Sequence, residues 1–322
     1  MKRRLKDYLL ITFKGIAMGA ADVVPGVSGG TIAFISGIYE ELIESIDNLG
    51  FGVFKLWKKQ GFKTAWKSVN GTFLLALFFG IGMSIVSLAK LIKWLLHNEP
   101  ILLWSFFFGL VLASILYIGK QIKNWSLKII LAIIITSILS YFITLAEPFA
   151  SPDSSMYLLF CGFIAIIAMI LPGVSGAFIL LILGAYETAI NTVNNLIEGV
   201  TTGNFELLKD ALLKFFLLGV GAIIGLKVFS KVLNWMFKHQ KNLTLAILTG
   251  FMIGSLNKIW PWKKVLKSRI NSEGLEVTVL DESILPTSYI GDNQIVMALV
   301  MIIIGFATIL ILESLGQKKA RV

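Results

Sequence analysis

The sequence predicts an all-α polytopic membrane protein built as two repeats, each a broken, re-entrant helical hairpin followed by about three transmembrane helices. Three observations predict it. Hydrophobic residues fill 56% of the 322 positions and charged residues only 15%, against about 25% charged in an ordinary soluble domain. Several apolar segments reach about twenty residues, the length that crosses a ~30 Å hydrocarbon core. One stretch is also written twice: of the 28 positions from Ala21 to Asn48, 13 recur at an offset of 147 without a gap. Two copies are too few for a solenoid and suggest the two-fold repeat on which many transporters are built.

The first repeat is expected over 1–150. Residues 1–7 are basic and suit the cytoplasmic surface. Residues 8–46 are apolar but interrupted by Pro25, Gly26, Gly29 and Gly30. Proline cannot donate a backbone hydrogen bond and glycine loosens a helix. Two half-length helices meeting at 25–30 are therefore expected. Inside a bilayer such a break is tolerated only where protein or a wet cavity covers it, which favours a re-entrant hairpin. Residues 47–71 carry Lys55, Lys58, Lys59, Lys63 and Lys67 among Phe51, Phe54, Trp57 and Trp66. An interfacial helix and an ordinary loop both fit them. Spans are expected near 72–96, 101–119 and 127–147.

The second repeat is expected over 151–322, with its hairpin at 156–192. A polar linker follows at 193–208, then spans near 209–232, 243–259 and 294–313. Trp94, Gly109 and Ser114 echo Trp235, Gly250 and Ser255 at an offset of 141, so the repeat extends beyond the motif. Three crossings per half would turn the second half upside down relative to the first. The positive-inside rule supports this: the segments assigned to the cytoplasm hold 20 of the 29 Lys and Arg. Both termini are then cytoplasmic. Two motif segments that each crossed once would instead give a parallel repeat. The outer loop 258–292 departs from the charge pattern with Lys263, Lys264, Lys267 and Arg269, and its run 275–280 alternates weakly, as a strand does. An outer-leaflet phosphate and simple contact with anionic lipid both account for its charge.

A net charge of +10 in a soluble chain would suggest nucleic acid. Here the basic residues lie between apolar segments, so topology and anionic lipid explain them better, and no nucleic-acid signature is present. The single Cys161 excludes an intramolecular disulfide and reads as a small buried hydrophobe. His97 and His239 are the only histidines and show no metal-ligand spacing. No metal, cofactor or catalytic set is implied.

The chemistry falls on the doubled motif. The first copy reads Pro25-Gly26-Val27-Ser28-Gly29-Gly30-Thr31 and the second Pro172-Gly173-Val174-Ser175-Gly176. A half-helix starting there presents bare N–H groups and a partial positive charge, which suit a phosphate. Ser28, Ser175 and Thr31 add hydroxyls, and the glycines admit an anion close to the backbone. Close helix packing by small residues is the competing account. Glu40 and Glu187 are equivalent, each after a tyrosine, Tyr39 or Tyr186. They fit a proton path or the hairpin exit at the interface equally. Asp22 stands where the second copy has Met169, so a proton or cation would be handled by one half only. Lys14 could neutralise Asp22 or a phosphate, or snorkel to the inner surface.

The paired Pro-Gly-Val-Ser-Gly motifs, each followed by an apolar stretch and Gly-x-Tyr-Glu, resemble the bacterial polyprenyl-phosphate (undecaprenyl-phosphate) transporter family of PopT type, formerly a domain of unknown function. The resemblance covers nearly the whole chain. It implies a polyprenyl phosphate lipid as substrate and partner, and movement of undecaprenyl phosphate across the bacterial cytoplasmic membrane for recycling of the cell-envelope carrier. The residues by themselves stop at a transporter of an anionic substrate. A small soluble anion, a membrane-embedded enzyme of lipid-phosphate metabolism and a scaffold without transport stay open at this level, and the oligomeric state is not set.

Overall fold

Helices start and stop at repeated places in this chain because the same short signals recur. A computed structural model describes residues 3–22, 27–146, 155–270 and 276–320. The first motif segment forms α1 (Leu5–Asp22), α2 (Gly29–Ile35) and α3 (Tyr39–Asn48). The chain continues through α4 (Phe51–Gln60) and α5 (Phe62–Ser68) into α6 (Gly71–Asn98), α7 (Pro100–Gly119) and α8 (Leu127–Leu145). The second motif segment forms α9 (Ser155–Ile170), α10 (Gly176–Ile182) and α11 (Tyr186–Thr202). Then come α12 (Phe205–His239), α13 (Lys241–Ser255), the strands β1 (Lys263–Ile270) and β2 (Glu276–Ser283), and α14 (Ile295–Ala320).

The bounds of α2 and α10 lie 147 positions apart at both ends, as do the starts of α3 and α11. Each short helix opens on a serine cap, Ser28 or Ser175. Each closes on a left-handed glycine, Gly37 at φ +72° and Gly184 at φ +67°. There the next N–H reaches back five residues, from Ile38 to Ala33 O and from Ala185 to Leu180 O. That glycine cap limits the second arm to seven residues. The expected pair of half-length arms is therefore a long arm and a short one, followed by a sharp bend. The bend between α10 and α11 is 109°.

Among the described residues α7, α8 and α12 are long and apolar enough to cross a membrane, or five spans if two bent pairs, α5 with the first part of α6 and α10 with α11, each count as one. Large apolar side chains cover the outside, among them Phe79, Ile135, Phe142, Phe216 and Ile303. Water does not suit such a surface; hydrocarbon does. The chain is a multi-pass helical membrane protein. One departure from an all-helical reading is the β1–β2 hairpin, antiparallel, with Lys263 opposite Ser283 and Ile270 opposite Glu276. The weak alternation at 275–280 marks β2; β1 is too rich in lysine to show the pattern. A second correction concerns 193–208, which is not a linker. There α11 runs on until Gly203 takes φ +70°. The connector 47–71 is helical, and its exposed Phe54, Trp57 and Phe62 alternate with lysines in the manner of an interfacial segment.

Glycines set the helix packing. A Cβ added at Gly15 of α1 would lie 2.2 Å from Leu77 O of α6, and one at Gly80 would lie 2.1 Å from Thr12 O. Their echoes Gly162 of α9 and Gly221 of α12 show the same crowding, 2.2 Å from Leu218 O and 2.0 Å from Leu159 O. The next helices cross over. α7 packs on α14, where Gly109 faces Ile302 O and Gly305 faces Phe106 O at 2.0 Å each. α13 packs on α8, where Gly250 faces Ile133 O at 2.6 Å and Gly254 faces Ser137 O at 2.3 Å. Gly109 and Gly250 are echo positions, so the sequence repeat is also a repeat of contacts.

One acidic face closes the other end of the first hairpin. Arg3 grips Glu41 through two hydrogen bonds of 2.5 and 2.6 Å. Glu40 pairs with Lys241 at 2.7 Å and Glu44 with Lys238 at 3.5 Å. Asp47 accepts from Asn234 at 2.7 Å and lies 3.8 Å from Lys227. The Glu40, Glu44 and Asp47 contacts join α3 to α12 and α13, and Arg3 ties the segment before α1 to α3. Being partly exposed, each is worth at most about 1 kcal/mol.

Replacement of Gly80 or Gly221 by isoleucine forces two backbones apart and costs about 1–3 kcal/mol or more. Gly82→Ala, whose Cβ meets open space, is neutral or slightly stabilising. Thermal unfolding in detergent with fluorescence-detected chromatography checks the contrast; equal losses at all three positions would refute the close-packing account.

Candidate functional site at the facing breaks

The two breaks meet. Ser28 Oγ donates to Met169 O at 3.0 Å, Tyr39 Oη to Ile170 O at 3.1 Å, and Gly173 N to Thr31 Oγ1 at 2.9 Å. Gly30 packs so closely that a Cβ would lie 2.4 Å from Ile170 O. Hydroxyls of the first break thus satisfy backbone groups that the second break leaves without helical partners. Val27, Ser28, Gly29, Gly30 and Thr31 are all buried, as are Val174 and Ser175. Pro25 and Gly26 lie outside the described residues. Pro172 is buried, and Gly173 takes φ +86° with Ser255 Oγ 2.7 Å from its Cβ position. Tyr39 is held edge-on by Phe34 at 5.0 Å and by Phe237 at 5.9 Å.

The breaks differ in charge. Asp22 folds back onto α2 and accepts from Gly29 N at 2.6 Å, while Ser28 Oγ accepts from Gly30 N at 3.1 Å. The first break therefore already holds an anion, the chain's own carboxylate. Met169 stands in for it in the second break. There Ser175 Oγ accepts from Phe178 N at 3.4 Å, and among the described residues the N–H groups of Gly176 and Ala177 have no partner.

The undecaprenyl phosphate translocase-like family matches residues 18–277. The chain belongs to this family. A polyprenyl-phosphate transporter of Vibrio cholerae serotype O1 (strain ATCC 39315 / El Tor Inaba N16961) is 44% identical over 322 residues, covering 99% of this chain and 100% of that protein. A polyprenyl-phosphate transporter of Staphylococcus aureus (strain NCTC 8325 / PS 47) is 31% identical over 261 residues, 77% of this chain and 84% of that protein. No solved structure matches significantly. Relatives of this kind make the chain a member of a transporter family and fit its apolar exterior.

The remaining sequence candidates scatter. Lys14 does not reach Asp22 in this structure: its Nζ donates to Ser36 O at 2.5 Å, at the far end of α2. Glu40 and Glu187 are both exposed, at the first turns of α3 and α11. Glu40 has its partner in Lys241. Tyr186 is half-buried beside Ala185. Cys161 is fully buried. An apolar groove of about 860 Å³ opens elsewhere, between α7, α8, α13 and α14, lined by Leu116, Ile130, Ile134, Ile253 and Leu310 with Lys120 and Trp125 at its rim.

Lys258 and its partner Asp281, neither singled out from the sequence, join the second break to the β-hairpin. Lys258 lines a narrow cleft with Gly173, Val174, Ser175, Ser140, Thr144 and Phe178. Its Nζ lies 3.1 Å from Asp281 Oδ1 of β2, and Lys263 Nζ lies 3.4 Å from Oδ2. The available signal was the basic loop that breaks the positive-inside pattern. Nothing in the sequence paired it with Asp281, because only the hairpin fold brings the two together. Burial pushes the Lys263 ammonium down to about 8, against the pull of Asp281 and with the push of Lys258. Burial also pushes the Asp281 carboxylate up, but Lys263 and Lys258 together hold it below its usual range.

Those shifts set a sign. Between pH 8 and about 10 the unfolded chain binds more protons at this lysine than the folded protein, so Lys263 makes stability rise with pH in that window. Asp281 acts in the same sense at low pH, where its contribution is lost as pH falls through its depressed value. The melting temperature of the wild type should gain on that of Lys263→Gln as pH is raised from 8 to 10. A constant difference across that range would mean that Lys263 titrates as if in water.

Proposed function

We propose that this chain is a flippase that moves a polyprenyl phosphate, undecaprenyl phosphate in the family's own terms, between the leaflets of the bacterial cytoplasmic membrane. The observation that carries the reading is the meeting of two duplicated helix breaks through Ser28, Thr31 and Tyr39. Membership of the transporter family supports it. Two repeats, 1–150 and 151–322, would be inverted, with both termini cytoplasmic. The excess of lysine and arginine on one set of connections supports that orientation. The facing breaks would then lie near the bilayer midplane, where transporters of this design bind substrate. The protein would act without bond chemistry, as a transporter rather than an enzyme, and serve recycling of the lipid carrier in cell-wall biogenesis.

The phosphate would be held by Ser28, Ser175 and the flanking backbone of Pro25–Thr31 and Pro172–Gly176, while the isoprenoid tail stays in lipid. Asp22 gives this reading a gate. Its carboxylate occupies the Gly29 amide and the space before α2 that a phosphate would need in the first break, so that these are what must be vacated. Protonation, or displacement by the headgroup, frees them. Asp22 is therefore the first choice among the coupling candidates. Glu40 and Glu187, being exposed, come after it.

Leaflet exchange of a fluorescent polyprenyl phosphate in proteoliposomes tests this. The Ser28→Ala/Ser175→Ala double variant should exchange about tenfold more slowly or worse, the worth of roughly one hydroxyl hydrogen bond or more in the rate-limiting state. A melting curve beside it separates that loss from the lost helix caps. Asp22→Asn should exchange lipid without responding to a proton gradient. Wild-type exchange no faster than in empty liposomes would sink the flippase reading and turn attention to soluble anions.

A further inference from the structure

We propose that Lys258 and Lys263 form a two-cation seat for a phosphomonoester headgroup beside the second break, and that Asp281 fills that seat when no headgroup is present. The proposal rests on the transporter reading above and adds to it a named cationic site and a displaceable internal ligand.

Four observations carry it. First, charge does not balance. Two ammonium groups share one carboxylate, at 3.1 and 3.4 Å, and their side chains are only 14% and 12% exposed. A largely enclosed cluster with one cation in excess asks for a further negative charge. A phosphomonoester, with about −1.5 to −2 charge near neutral pH, supplies what a single carboxylate does not.

Second, the Lys258 end of the seat adjoins the right place, a cleft of about 10 Å³ that must widen to admit a headgroup. Lys258 is part of the lining of the cleft at Gly173, Val174 and Ser175, and the Ser140 and Thr144 side chains share that cleft. The Ser175 hydroxyl is 8% exposed as a residue and, while accepting from Phe178 N, keeps its own proton to donate.

Third, each ammonium is backed by an aromatic face. Lys258 Nζ lies 4.7 Å from the centre of the Phe178 ring and Lys263 Nζ 4.9 Å from that of Trp104. Lys263 also donates to Lys258 O at 2.5 Å. These contacts hold both cations in place without using up their charge.

Fourth, the internal ligand sits at an irregularity of the hairpin. Asp281 belongs to β2, opposite Val265 of β1, and the pairing is irregular from Val265 to Ser268. A phosphate that takes Asp281's place removes the ion pairs that anchor β2 to the end of α13. Lys263 itself belongs to β1, and Ser283 Oγ donating to Asn257 O and Trp260 Nε1 to Ile284 O still hold the hairpin, so only the Asp281 carboxylate has to swing away.

The test uses the full chain in phosphatidylcholine nanodiscs, titrated with farnesyl phosphate and, in a parallel arm, with inorganic phosphate, and read by tryptophan fluorescence. Lys258→Gln should weaken farnesyl phosphate binding about tenfold or more, as expected for loss of a charge-assisted hydrogen bond. Asp281→Asn should tighten it several-fold, because the competing carboxylate is gone. Misfolding cannot produce that gain, and Lys263→Arg should restore most of what Lys263→Gln loses. A response to farnesyl phosphate alone assigns the headgroup of a lipid; an equal response to inorganic phosphate assigns a free anion, and both support the seat. Wild-type affinity in Lys258→Gln and Asp281→Asn, or weaker binding with a lower melting temperature in Asp281→Asn, overturns it in favour of a structural clamp. If the wild type binds neither probe, the transporter reading falls as well.

Discussion

Backbone left bare inside hydrocarbon costs several kcal/mol per group, and that cost organises this molecule. Each motif segment abandons its helix at a proline and several glycines. The carbonyls of Met169 and Ile170 and the amide of Gly173 then need partners from outside their own helix. Ser28, Tyr39 and Thr31 provide them. Because those side chains come from the other copy of the motif, neither break is complete by itself. The glycine caps at Gly37 and Gly184, the burial of Tyr39 and the close approach at Gly30 all serve the same mutual closure.

The duplicated frame carries unlike electrostatics. At the first break a carboxylate from α1 lies against the start of α2. At the second, methionine replaces the carboxylate, and Lys258 from just beyond α13 lines the cleft instead. A transport site with identical ends would bind its cargo equally well at both. Unlike ends would differ in how tightly they hold an anion, and a ligand shifts a two-state equilibrium only by its differential affinity for the two states.

Much of this arrangement could be read from the residues, and for physical reasons. Helices α2 and α10 are marked by a serine cap and a glycine stop, both local signals that need no tertiary context. The doubled Pro-Gly-Val-Ser-Gly motif announces a break, since no other residues disrupt a helix so strongly. The echo of Gly109 in Gly250 is a true contact position because two backbones touch there. Other features are hidden by distance along the chain. Asp22 could be recognised as asymmetric, but its grip on Gly29, seven residues further on, has no local sequence signal. Lys258 and Asp281 looked like ordinary loop charges until the hairpin placed them together. The continuation of α11 past residue 193 was missed because its asparagines and threonines have weak helix propensity, and packing on α12 overrode it. Glu40 fitted a proton path and the hairpin exit equally well by its position after an apolar run, and only the fold shows α3 turning it outward to Lys241.

The crossed pairing of α7 with α14 and of α13 with α8 has a consequence for how the protein is made. Gly109 on α7 is cut to fit a helix that has not yet been synthesised when α7 enters the bilayer. At ~5–20 residues per second, the wait from Gly119 to Ala320 is on the order of 10 to 40 s. During that interval the groove on α7 faces lipid, or a neighbouring insertion partner, in place of its final mate. α8 waits less, since α13 arrives earlier. The nascent chain therefore closes from the inside outward in sequence, and α14, emerging late, seals α7. A ribosome that stalls in the β-hairpin leaves a chain with both breaks already joined but one seam open. Such a chain is the natural substrate for membrane quality control.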